Sequence, residues 1–130
     1  MLNSRDFNET VMTQIPDFSD TELAIIRDAL VKRYGHPVEI ELADSELRLD
    51  PPSPALTPCP TVFWSERNAN FVVCKVGASH YRCQFFYSPR EQFGTGREVY
   101  DDLQQCVTVL LQVQADHERQ AAIGAGRTAG

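Results

Sequence analysis

Four cysteines, Cys59, Cys74, Cys83 and Cys106, have the widest chemical repertoire in this chain. No two lie within four residues of each other, so the C-x-x-C spacing of redox loops and zinc knuckles is missing. Cys74 and Cys83 fall on strands expected to pair, and Cys106 on a helix expected to pack over them. Three thiols brought together this way would suit a soft metal or a redox step. Each also sits at a packing position of its own element, where a free thiol behaves as a small hydrophobe. Packing is therefore the expectation, with no cofactor. A thiol-based metal-binding or redox protein using Cys74, Cys83 and Cys106 is the second reading.

A different chemistry is offered by Phe71, Lys75, His80, Arg82, Gln84 and Phe86. Aromatic rings interleaved with cations suit stacking plus charge pairing, in a protein interface or around single-stranded nucleic acid. If Phe71–Val76 and His80–Tyr87 pair as a regular hairpin around Gly77-Ala78, these six residues share one face with Val73. Val72, Cys74 and Val76 then lie with Tyr81, Cys83, Phe85 and Tyr87 on the other. Gly94-Thr95-Gly96-Arg97, set before a helix, offers backbone N–H groups and a guanidinium to an anion. It lacks the Lys-Ser/Thr ending of a phosphate loop and the third glycine of a dinucleotide fingerprint. Asp116-His117-Glu118 places a histidine between acids near a helix end. Successive helical residues diverge by about 100°, so the three do not converge on a metal, and a helix-dipole contact for His117 is the plainer expectation. G-x-S-x-G and H-E-x-x-H are absent, and catalysis is not expected.

These residues must be positioned by elements that the sequence marks out. Ser19-Asp20-Thr21-Glu22 is a capping box. Behind it Leu23, Ile26, Leu30 and Tyr34 recur at helical spacing up to Gly35 and Pro37, which predicts a helix from about Ser19 to Tyr34. Val38–Leu42 and Leu47–Leu49 alternate, which predicts a hairpin turning at Ala43-Asp44-Ser45. Five of the eight prolines follow within residues 51–60, an expected extended connector. Thr61–Ser65 reads as a strand. From Glu98 a helix is expected to run to about Gln120, with Val99, Leu103, Cys106, Leu110 and Val113 on one stripe. Val107, Val109 and Leu111 widen that stripe, so a second copy or the first helix must cover its far side.

The 130 residues carry a net charge of −6 and are 42% hydrophobic, enough for one modest core. Residues 1–50 hold eleven acids against five bases, whereas residues 51–100 hold three against five. The overall acidity repels phosphate backbones, which places nucleic acid third among the readings. No run approaches a membrane span, and Met1–Asp6 lacks the apolar core of a signal peptide. The expectation is a cytoplasmic, two-layer α+β domain over residues 18–121, with flexible 1–17 and disordered 122–130. An antiparallel sheet of four or five strands would have both helices on one face. Its expected role is non-catalytic: an adaptor that binds a protein partner through the basic-aromatic sheet face, with a homodimer expected through the long helix.

Overall fold

Local capping chemistry opens the fold. The computed structural model describes residues 15–129, and over 124–129 the backbone alone. Helix α1 spans Asp20–Tyr34. The Glu22 amide donates to the Ser19 hydroxyl at 3.1 Å, and the Ser19 amide donates to the Glu22 carboxylate at 2.7 Å. Gly35 closes the helix at φ 80°, a left-handed conformation that favours glycine. Leu23, Ile26 and Leu30 form its buried stripe. Residues 1–14 of the segment expected to be flexible lie outside the described residues, as does Gly130.

Five strands then form one antiparallel sheet in chain order: β1 (Glu41–Leu47), β2 (Thr57–Glu66), β3 (Ala69–Gly77), β4 (His80–Ser88) and β5 (Glu91–Phe93). The expected turn at Ala43-Asp44-Ser45 is instead the middle of β1. Glu41 to Leu47 pair continuously with Phe63 to Thr57. That ladder gives partners to more backbone groups than a short local hairpin would. Pro58 and Pro60 belong to β2, not to the connector. Over residues 57–60 β2 pairs with β1 alone, and β3 joins from Thr61, so that stretch is an edge on the β3 side, where proline is tolerated. Arg67 and Asn68, both at positive φ (54° and 69°), make the tight turn into β3.

The β3–β4 hairpin departs from the regular pairing. Gly77 pairs with His80 across a two-residue turn, but Lys75 pairs with Tyr81, and the register shifts between Lys75 and Gly77. The extra residue, Val76, is a bulge. One inserted residue exchanges the two faces of β3 relative to β4. Phe71, Val73 and Lys75 therefore share a face with Tyr81, Cys83 and Phe85. Val72, Cys74 and Val76 share the other with Arg82, Gln84 and Phe86.

Both helices cover the first of these faces. Helix α2 (Leu103–Ala129) starts later than the expected Glu98. The Gln105 amide donates to the Asp102 side chain at 3.1 Å, which makes Asp102 the N-cap, and the preceding chain is extended, with Tyr100 bridged to Tyr81. The helical backbone runs through Ala129, past the Gln120 expected from the glycines. Ala121, Ala122, Ala125 and Ala129 are strong helix formers that offset Gly124 and Gly126. The core joins Leu23, Ile26 and Leu30 to Val62, Trp64, Phe71, Val73 and Phe85, and to Leu103, Cys106, Val107, Leu110 and Leu111. Val72 and Val76, expected in this core, are half-buried on the opposite face. The surplus apolar side of α2 is taken by α1, where Ile25 and Ala29 face Leu111 and Ala115 along a shared groove. Among the described residues no helix is long and apolar enough to cross a membrane.

Candidate functional site

The bulge at Val76 divides the expected six-residue surface. Phe71 is fully buried and stacked on Trp64 at 5.2 Å between ring centroids. Lys75 is only 4% exposed. Its ammonium donates to the Glu22 carboxylate at 2.8 Å and to the Asp17 carbonyl at 3.1 Å. Tyr81 donates to the other Glu22 oxygen. This network ties the N-terminal turn of α1 to the sheet. Burial works to raise the Glu22 carboxyl, but the hydrogen bonds from Lys75, Tyr81 and the Ser19 amide outweigh it and hold the group below its ordinary range. Lys75 and Phe71 are thus core residues and are withdrawn from any accessible surface. The nucleic-acid reading loses the same two side chains, one aromatic and one cationic.

His80, Arg82, Gln84 and Phe86 remain. His80 is exposed at the turn, and Phe86 is half-buried on the open face. Arg82 and Gln84 line a recess of about 490 Å³ together with Leu47, Val72, Cys74 and Cys83. The far wall is the Gly94–Glu98 loop, so the second group of expected residues meets part of the first. Arg82 pairs with Glu98 at 3.3 Å across the recess, and its Nε is buried with no hydrogen-bond partner.

The Gly94–Arg97 loop itself differs from an anion cradle at a helix end. Residues 98–102 separate it from α2, so the helix dipole does not point at it. Arg97 is turned back on its own segment, donating to the Val99 carbonyl at 3.1 Å with its guanidinium 4.9 Å from the Tyr100 ring centre. Thr95 and Tyr100 share a hydroxyl–hydroxyl bond of 2.5 Å. Gly96 takes φ 89°, which lets the loop turn over the sheet.

The cysteines fall into two pairs on opposite faces. Cys59 and Cys74 belong to the open face, where the Thr61 hydroxyl lies 3.4 Å from the Cys74 sulfur. Burial, reinforced by the neighbouring Cys74, pushes the Cys59 thiol up. Cys83 points toward α2, with its sulfur 3.9 Å from the Cys106 carbonyl oxygen. Cys74, on the other side of the sheet, cannot join Cys83 and Cys106. Among the described residues no group of three or more His, Cys, Asp or Glu side chains could hold a metal. The three thiols considered as a metal site are therefore divided between the two faces, Cys74 on one and Cys83 beside Cys106 on the other. The neighbouring Cys106 side chain outweighs burial and, with help from Thr95, lowers the Cys83 thiol. Cys106, buried and beside a more acidic thiol, is raised well above the ordinary range.

His117 sits in mid-helix rather than at a terminus. Its ring lies 4.5 Å from Phe93 and 5.4 Å from Tyr87, whose hydroxyl is 3.1 Å from Nδ1. It packs an aromatic cluster at one end of the sheet. Nothing in the sequence marks Leu47, Val72 and Glu98 as neighbours of Arg82, because they come from three separate elements. The chain matches no family model, and no curated protein or solved structure is found to be similar to it.

Proposed function

We propose that the protein is a non-catalytic adaptor whose protein partner docks on the open face of the sheet, around Arg82, Gln84 and Phe86. The observation that carries this reading is the one-sided cover by the described helices. Both helices pack on one face, while Phe63, Val72, Val76 and Phe86 stand half-buried on the other beside Arg82 and Gln84. Apolar side chains around an arginine are the composition of an interface core. An acidic side chain from the partner would compete with the exposed Glu98 for Arg82.

The double change Arg82→Glu with Phe86→Ala tests it. Neither residue belongs to the helix-covered core, so the melting temperature should move little. Partner recovery from native extract should be lost. A folded variant that recovers the same proteins would place the binding surface elsewhere, and a variant that unfolds would make these residues structural.

A further inference from the structure

The thiols on the helix-covered face carry an inference independent of the adaptor reading. We propose that Cys83 and Cys106 form an oxidisable dithiol, in which Cys83 reacts with a small hydroperoxide entering from the recess and Cys106 closes a disulfide. Three observations combine. Cys83 points toward α2 yet is half-buried and borders the recess together with Thr95, whereas Cys106 is fully enclosed. The Cys83 sulfur lies 3.9 Å from the Cys106 carbonyl oxygen, which sets the two cysteines side by side between β4 and α2. Thr95, bonded to Tyr100, lines the same recess as Cys83 from the loop that walls it.

This arrangement separates the two roles that such a reaction needs. The attacking group must be a thiolate with access to solvent. The resolving group must be close and protected until the first step is complete. As a thiolate, Cys83 attacks one oxygen of the hydroperoxide. The O–O bond breaks, the alkoxide or hydroxide leaving group takes a proton from water, and Cys83 becomes a sulfenic acid. The Cys106 sulfur then attacks the Cys83 sulfur. The S–O bond breaks, and the departing oxygen carries the Cys106 proton and one more away as water. The hydroperoxide is reduced by two electrons and the dithiol is oxidised by two. Cys59 and Cys74, also neighbours but on the opposite face, provide an internal comparison, since the Cys59 thiol is pushed the other way by burial.

The full chain is treated with hydrogen peroxide, blocked with an alkylating reagent and mapped by mass spectrometry. The expected product has lost two hydrogens and yields a peptide joining Cys83 to Cys106. In Cys106→Ser, dimedone should label Cys83 as a persistent sulfenic acid. Thr95→Val should slow the reaction of Cys83 several-fold while leaving Cys59 unchanged. Cys106→Ala gives the same dimedone readout should serine disturb the core. A disulfide joining Cys59 to Cys74, equal reaction of all four thiols, or no dimedone adduct at Cys83 in a folded Cys106 variant would each overturn the proposal.

Discussion

Glu22 does more than any other single side chain to join helix to sheet. It closes the capping box of α1, accepts from Lys75 and accepts from Tyr81. Removing its charge leaves a buried ammonium without its partner. Glu22→Gln should therefore cost about 3–5 kcal/mol at neutral pH, measured by denaturant unfolding. The pH dependence follows from the direction of the shift. The folded carboxyl titrates below its unfolded value of about 4.3. Its stabilisation is complete above that value and disappears as pH falls through the lower folded one. The melting temperature of the wild type should drop in that acid range, and that of Glu22→Gln should drop less steeply. Parallel curves for the two proteins would show that another carboxyl controls the acid limb. His117 is a plainer case. Its ring fills space among Phe85, Tyr87 and Phe93, so a reading based on flanking acids finds no role in the contacts it makes.

Two features of the elements decide what the sheet presents. The Val76 bulge aligns Lys75 with Tyr81, and so aims Lys75 at Glu22 rather than at solvent. Deleting Val76 removes the extra residue while keeping Gly77 opposite His80 and Lys75 opposite Tyr81. The deletion should leave the protein folded. Deleting Val73 should unfold it, because every residue on one side of the gap then exchanges faces. Circular dichroism and thermal melts of the two deletions check this, and equal damage would mean that the bulge itself is indispensable. At the start of α2, Asp102 caps the helix that brings Cys106 over the sheet. Asp102→Ala should cost about 1 kcal/mol, read from chemical denaturation. Further along α2, Leu110 is fully enclosed, and Leu110→Ala should cost about 2–5 kcal/mol by the same measurement.

At the scale of the whole molecule, the basic middle of the chain is met by acids from outside it. Lys75 pairs with Glu22, and Arg67 with Glu118. Arg33 also reaches Glu118, at 3.9 Å, which leaves little positive field on that side. With a net charge of −6 around these pairs, oligonucleotides should bind weakly. Fluorescence anisotropy should show no saturable binding at physiological salt. Tight, salt-sensitive binding would mean that the open face gathers more positive charge than these pairs leave. Fold placement was legible where the pattern was long: both helices, the strands of the hairpin and the two-layer arrangement. The structure divides the six residues expected on one face between the two faces. Arg82, Gln84 and Phe86 stand on the open face, whereas Phe71 and Lys75 do not.

The sequence by itself determined features whose causes lie within a few residues. Ser19 and Glu22 start α1, Gly35 stops it, Leu23, Ile26 and Leu30 choose its buried side, and Arg67-Asn68 turns β2 into β3. Each depends on contacts between neighbours in the chain. Tertiary structure decided what depends on distant partners. β1 runs through Asp44 and Ser45 because a strand distant in sequence offers Pro60 and Cys59 to pair with, and the Thr61 hydroxyl donates to Ser45 at 2.8 Å. The faces of β3 and β4 were decided by one bulged residue. Strand side chains alternate with period two, so a single insertion that no composition rule marks exchanges core for surface along the whole hairpin. Lys75 thereby became the buried partner of Glu22, and Cys83 the partner of Cys106 rather than of Cys74.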